Sequence, residues 1–305
     1  MRNVILAAAI SVFGVGTAIA EEMRIGTASL GGAFYPMGQS ISNLVNKYAG
    51  GDISMVPVVT GGSVQNPRLI DSGEVEIAIT NNNLAKLAVA GKGPYSSGVI
   101  DIKAVAALHP SILHMITLEG SDIETFEDLK GKRVAVGPAG GGTLGFLNFL
   151  LPLHGMTVED ITPSFLSYSD GFSQLTDGNV DASLALSGYP AGAVMQAAAG
   201  ADLKFISFSE GKMEEALANN AAYSAVTVAA DVYGTPSDGT ALGVNNMLIV
   251  PSSTDADVVE AIVKSIFDNL EEFRAENANA KQINPEQSKS LAIDLHEGAA
   301  RYFGQ

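Results

Sequence analysis

The chain has 305 residues, 17 basic and 33 acidic side chains for a formal charge of −16, and no cysteine. Disulfide frameworks, thiolate metal sites and cysteine nucleophiles are thereby excluded, and the acidic balance argues against nucleic acid or an anionic membrane surface, which are bound through basic patches. Apolar residues make up 47 % of the chain, enough to fill two cores in domains of roughly 140 residues each.

Met1–Ala20 opens with Arg2, runs on through an apolar stretch from about Val4, and closes on Ala18-Ile19-Ala20. That is the pattern of a secretory signal with an A-x-A cleavage site. Cleavage there would leave 285 residues starting at Glu21, with a charge of −17 and a periplasmic destination. No later stretch is apolar for the roughly 18 residues a membrane helix needs, so no membrane segment is expected after signal cleavage.

Met23–Ser29 reads as a strand running into a glycine-rich turn. Met37, Ile41, Leu44, Val45 and Tyr48 then mark one face of a helix. Asp52–Thr60 is a second strand, a helix capped by Ser63 runs to Gly73, and Val75, Ile77 and Ile79 alternate as a third strand. Such a β-α-β-α-β order makes parallel strands with helical crossovers. The middle of the chain repeats it: strand Lys132–Gly137, helix Leu144–Leu151, strands Ile161–Ser167 and Ala182–Leu186. A local echo accompanies the repeat, Leu69-Ile70-Asp71-Ser72-Gly73-Glu74-Val75-Glu76-Ile77-Ala78 against Leu175-Thr176-Asp177-Gly178-Asn179-Val180-Asp181-Ala182. Two α/β lobes of related design are expected.

Toward the C-terminus, Thr254 and Asp257 form a capping-box pair ahead of the apolar stripe Val259, Ile262, Val263, Ile266, Leu270 and Phe273. Asn284-Pro285 opens a last helix with Leu291, Ala292, Leu295, Ala299 and Tyr302 on its face. The strand-like segment Ala222–Pro251 could return the chain to the first lobe. The expected division is residues 21–112 and 223–305 for a discontinuous first lobe, and 113–222 for an inserted second one.

The four histidines, His109, His114, His154 and His296, fall in no metal-binding motif. No nucleophile elbow, phosphate loop or dinucleotide fingerprint occurs, and no catalytic residue, metal ligand or cofactor is expected. What remains is a set of polar, glycine-rich turns between strand and helix. Thr27, Ser29 and Tyr35 lie in the first, Thr60, Ser63 and Asn66 in the second, and Gly140 and Thr143 in the third. Asn81, after the third strand, and Ser187 and Tyr189, after the last strand of the second lobe, extend the set. Open α/β sheets bind ligands at this edge, where backbone N–H groups and helix dipoles point outward. A lone turn of this kind makes a short connection, and Ser63 and Thr143 would also serve as caps; three such turns in two lobes point to a ligand cleft between the lobes. Phe34 and Tyr35 would stack on a ligand or staple the next helix. Arg68 reads as a solvated helix arginine.

The chain resembles the TAXI branch of substrate-binding proteins from tripartite ATP-independent periplasmic (TRAP) transporters. The matching pieces are Gly26-Thr27 through Tyr35-Pro36-Met37-Gly38, Thr60-Gly61-Gly62-Ser63-Val64-Gln65-Asn66, Asp128-Leu129-Lys130-Gly131-Lys132-Arg133-Val134-Ala135-Val136-Gly137, and His296-Glu297-Gly298-Ala299-Ala300-Arg301-Tyr302. The resemblance spans nearly all of the mature chain. It implies an α/β, two-lobed type II periplasmic binding fold. It also implies a small organic anion as ligand (a C4–C5 dicarboxylate, 2-oxoacid or glutamate-like amino acid) and the small and large TRAP membrane subunits as partners. Gln65 stands where many relatives carry an acidic residue, and Pro67 biases Asn66 away from helical geometry. Two alternatives stay open at this point: a receptor for an ATP-driven transporter, and an exported enzyme on the same scaffold. Among single substitutions, Asn66→Ala is expected to lose the most affinity.

Overall fold

The computed structural model describes residues 21–304; the expected signal, Met1–Ala20, lies outside the described residues. Strands β1 (Glu21–Gly26), β2 (Ile53–Val58) and β3 (Ile77–Asn81) run parallel in the order β2-β1-β3, joined through helices α1 (Phe34–Tyr48) and α2 (Asn66–Asp71). After α3 (Asn82–Val89), strand β4 (Ile102–Leu118) is 17 residues long and leaves the first lobe for the second. There β5 (Arg133–Ala135), α4 (Gly142–Leu153), β6 (Thr162–Ser164), α5 (Tyr168–Thr176) and β7 (Ala182–Ser187) reproduce the first arrangement, with β5 parallel to both β6 and β7. The chain continues through α6 (Gly192–Ala198), β8 (Leu203–Phe205), α7 (Lys212–Asn219) and the hairpin-like pair β9 (Tyr223–Val228) and β10 (Gly239–Pro251). Helices α8 (Ala256–Phe267), α9 (Leu270–Glu276) and α10 (Glu297–Phe303) close the first lobe.

The echoed segments occupy equivalent places. Arg24 on β1 grips the Glu76 carboxylate through its backbone N–H (2.7 Å), Nε (3.2 Å) and Nη2 (2.6 Å), and Nη2 also reaches the Gly73 carbonyl. Arg133 on β5 makes the same set with Asp181 (2.7, 3.1 and 2.6 Å) and the Gly178 carbonyl. In each lobe a bidentate pair ties the entrance of the third strand to the first.

Each lobe buries both faces of its part of the sheet. Ile25, Met37, Ile41 and Leu248 pack with Val259, Ile262 and Phe273 on one face of the first lobe; Ile70, Ala85, Tyr95, Met247 and Ile249 pack on the other. In the second lobe Phe146, Leu150, Leu184 and Val244 form one layer, and Ile112, Phe172, Val194 and Val228 form the other. Residues 223–244 therefore belong with the second lobe by packing, where the sequence division gave them to the first. A strand-like stretch carries no sign of which neighbour it will pair with, and here β9 pairs only with the half of β10 that lies in the second lobe. The chain changes lobe at Asn245–Met247, where the β10–β4 register shifts opposite Pro110 and Ala107. Pro110 has no N–H to give the ladder, and the Asn246 amide fills in, donating to the His109 carbonyl (2.7 Å) and the Ser111 hydroxyl (2.8 Å).

Several helix limits also differ from the periodicity. Asp255, not Thr254, caps α8, accepting from the N–H groups of Asp257 and Val258. The stripe through Phe273 is broken at Asn269 into α8 and α9. The expected last helix divides into a 3-10 turn at Pro285–Ser290, capped by Asn284, and α10, capped by the His296 side chain. Leu291 packs on one face of the lobe and Ala299 on the other, with Leu295 touching both, so the three do not share one helical face.

Candidate functional site

The three glycine-rich turns meet at the junction of the lobes. Gly140 of the second lobe lies against Gly61 of the first so closely that a Cβ placed on Gly61 would be 2.9 Å from the Gly140 Cα. The Gly140 carbonyl accepts from the N–H groups of Val64 and Gln65, both at 3.2 Å. The Ser187 hydroxyl accepts from the Ala33 N–H (2.9 Å), and the Ala193 N–H donates to the Gly31 carbonyl (2.9 Å). The lobes are closed on one another. Between them lies a cavity of about 10 Å³ lined by Ala28, Phe34, Gly62, Ser63, Gly142 and Tyr168, among others. That is room for about one water molecule, so a dicarboxylate enters only when the lobes part. Helices α1 and α4 start at this cavity without a side-chain cap, so their first-turn N–H groups are free for an anion.

The expected site residues fall into two groups. Ser63 lines the cavity and is buried, and its hydroxyl has no hydrogen-bond partner among the described residues. It is not a cap: α2 starts at Asn66, with Gln65 in the cap position and the Gln65 Oε1 accepting instead from the Gly61 N–H (2.6 Å). Ser29 is buried with no partner for its hydroxyl among the described residues. Ser187 and Gly140 make the interlobe contacts above.

The others hold the turns in shape. The Thr27 hydroxyl donates to the Val58 carbonyl (2.6 Å), and Thr60 bridges the Thr27 carbonyl (3.0 Å) and Asn66 Oδ1 (2.7 Å). Asn66 is fully buried, and its Nδ2 serves the carbonyls of Gly26, Thr27 and Ile79. Its polar atoms are thus occupied, contrary to the expectation that it meets ligand. Thr143 likewise accepts from the Leu186 N–H (3.0 Å) and pairs with the Tyr168 hydroxyl (2.8 Å), which donates to the Leu186 carbonyl (3.1 Å). Asn81 gives its amide to Asn246 Oδ1 (2.7 Å) at the lobe crossing. Tyr35 is half-buried outside the cavity lining, while Phe34 lines it. The Tyr189 carbonyl accepts from Gln282 Nε2 (2.5 Å). Arg68 is held by the Pro94 carbonyl and stacks over Tyr95.

Tyr168 was missed in the sequence because it sits at the start of α5, in no glycine turn. Its ring covers Gly32 and Gly137, each of which has a hypothetical Cβ within 3.0 Å of the ring. Burial pushes the Tyr168 hydroxyl above its ordinary value, and it is the only ionisable side chain among those lining the cavity. Among the described residues no three of His, Asp or Glu come together as a metal site.

Two buried histidines stand beside the lobe crossing. His114 is bonded at both nitrogens, to the Ala185 carbonyl (3.2 Å) and the Tyr233 hydroxyl (2.8 Å); His109 packs edge-on to Phe34 with neither nitrogen partnered. Burial lowers His109 to about 3 and His114 to about 4, from 6.5. Unfolded, both take up protons as pH falls through about 6.5 while the folded protein does not. Stability is therefore full above that pH and is lost below it, by roughly 2.7 kcal/mol per pH unit between about 6 and 4 for two groups. Melting temperature should fall steadily from pH 6.5 to 4.5, and His109→Leu should reduce the slope by about half. A melting temperature flat across that range would contradict the buried neutral state.

The fold and the junction together define a two-lobed type II periplasmic binding architecture. The chain belongs to the NMT1-like family, which matches residues 25–304. Among solved structures it is similar to MatC from Rhodopseudomonas palustris with bound malate, at 15 % identity and a TM-score of 0.58 over 93 % of this chain and 95 % of that one. It is also similar to the ligand-binding component of an ABC-type import system from Staphylococcus aureus with zinc bound, at 14 % identity and a TM-score of 0.50 over 92 % and 89 %. The periplasmic aliphatic sulphonate binding protein SsuA from Escherichia coli is a more distant likeness, at 17 % identity and a TM-score of 0.46 over 87 % and 80 %. At these identities the likeness is one of fold. No helix among the described residues is long and apolar enough to cross a membrane.

Proposed function

We propose that this chain is an exported, periplasmic solute receptor that captures a small organic anion between its lobes and delivers it to a membrane permease. The observation that carries the reading is the junction itself: uncapped starts of α1 and α4 and the free Ser63 hydroxyl face one cavity from two lobes. Such a site neutralises a carboxylate by backbone N–H groups and helix dipoles, without arginine. It offers no base or nucleophile matched to catalysis at neutral pH, since Tyr168 is its one ionisable group and is shifted upward. A receptor therefore fits better than an enzyme. The ligand class is a C4–C5 dicarboxylate, 2-oxoacid or glutamate-like amino acid; the malate bound in MatC is a C4 dicarboxylate. Lobe closure makes the signal that the permease reads, because contacts from both lobes stabilise the closed state. The TAXI-like motifs favour the two membrane subunits of a TRAP permease. The ABC-type component from Staphylococcus aureus favours the second reading, an ATP-driven importer using the same fold.

The test is calorimetry against a panel of dicarboxylates, 2-oxoacids and amino acids, followed by Ser63→Ala. Loss of a hydrogen bond to a charged group should weaken the best ligand by roughly tenfold or more. Melting temperature should stay level, because the hydroxyl holds nothing in the closed fold. Unchanged affinity in Ser63→Ala, with the ligand in hand, would remove Ser63 from the site.

A further inference from the structure

A second groove spans the lobes beside the crossing strands, with a volume of about 750 Å³. It shares no lining residue with the cavity between the glycine turns, and it is of the size that holds small organic ligands. The first lobe contributes Asn82, Asn83, Lys86 and Lys92; the second contributes Asn219 and Asn220; Asn245 lies on the crossing strand itself. No carboxylate lines it, in a chain of 33 acidic residues. Lys86 and Lys92 are both in this groove, and together with Lys281 they are the only Lys or Arg among the described residues whose side chains make neither an ion pair nor a hydrogen bond. Five of its lining residues are asparagines: Asn82, Asn83, Asn219, Asn220 and Asn245.

We propose that this groove is a second ligand site, for a small hydroxylated carboxylate. The chemistry follows from what is unmatched. Two ammonium groups in a wall free of negative charge attract an anion, and a concave wall of one sign concentrates that attraction. The asparagine amides of the lining offer N–H donors and carbonyl acceptors together; a plain dicarboxylate uses only the donors, and a polyol acid uses both along its chain. Asparagines from both lobes then bond to the hydroxyls from opposite sides. Because both lobes line the groove, its ligand has a different affinity for open and closed forms and thereby biases closure at the glycine-turn cavity.

The probe is D-gluconate, titrated into the full mature protein and followed by saturation-transfer NMR and calorimetry. Wild type should bind it, and Lys86→Gln/Lys92→Gln should bind at least tenfold more weakly, since two charge-assisted contacts are lost. Asn83→Asp, which puts a carboxylate into the groove at nearly constant shape, should weaken binding as well. Ser63→Ala should leave gluconate binding unchanged; this separates the groove from the turn cavity, so the receptor reading and this site can fail independently. Absence of gluconate binding overturns the proposal, as does equal binding by wild type and the double lysine variant. If inorganic phosphate binds and gluconate does not, the proposed ligand class is wrong.

Discussion

Gly140→Val should abolish tight capture of the solute while leaving the lobes folded. A Cβ at Gly140 would lie 3.2 Å from the Gly61 Cα and 3.1 Å from the Gln65 Cβ, and the two further methyl groups of valine have nowhere to go when the turns meet. Gly140 is not among the glycines held at positive φ, so valine fits its backbone when the lobes are apart. Closure alone is obstructed. Forcing extra methyl groups into such a contact costs roughly 1–3 kcal/mol, and the two N–H groups that bond the Gly140 carbonyl add about 1 kcal/mol each when pulled away. Apparent affinity falls with the fraction of closure-competent protein, so a loss of about a hundredfold is expected. Small-angle scattering of the variant with saturating ligand should give a larger radius of gyration than liganded wild type. Wild-type affinity in Gly140→Val would mean that binding does not require the closed contact.

Asn66→Ala has the opposite signature. The amide joins the ends of β1 and β3 to the second turn: three carbonyls accept from Nδ2, and Thr60 donates to Oδ1. Alanine leaves these groups buried without partners, at roughly 1–3 kcal/mol each for those that cannot rehydrate. A destabilisation of about 3–5 kcal/mol is expected, in the range of severe core substitutions. It should appear as a large drop in the denaturant midpoint, with near-normal affinity in whatever protein remains folded at low temperature. If the midpoint held and affinity fell instead, Asn66 would be a ligand contact after all.

The contrast between Ser63 and Asn66 shows where sequence reasoning stops. Both are small polar residues of one turn, three positions apart, and composition treats them alike. Backbone geometry does not: α2 begins two residues later than a Ser63 cap requires, which frees that hydroxyl, and Asn66 turns inward beneath the strands. Thr143 is a parallel case, since its partner Tyr168 is 25 positions away and sits in a helix start that carried no turn signature.

What the sequence by itself determined is the part set by local period and punctuation. Alternating strands and amphipathic helices, glycines at their joins, and the echo around Gly73 and Gly178 were sufficient for two related α/β lobes with polar turns on one edge. These depend on neighbours a few residues apart. The tertiary structure decided what depends on distant partners. Strand β4 is nearly continuous in apolar residues and interrupted by Pro110, so it shows no alternation, and only pairing with β10 makes it the crossing strand. Residues 223–244 joined the second lobe because their side chains found its core. The closeness of Gly61 to Gly140, which makes the turns one site, exists only once β4 and β10 have brought the two lobes face to face.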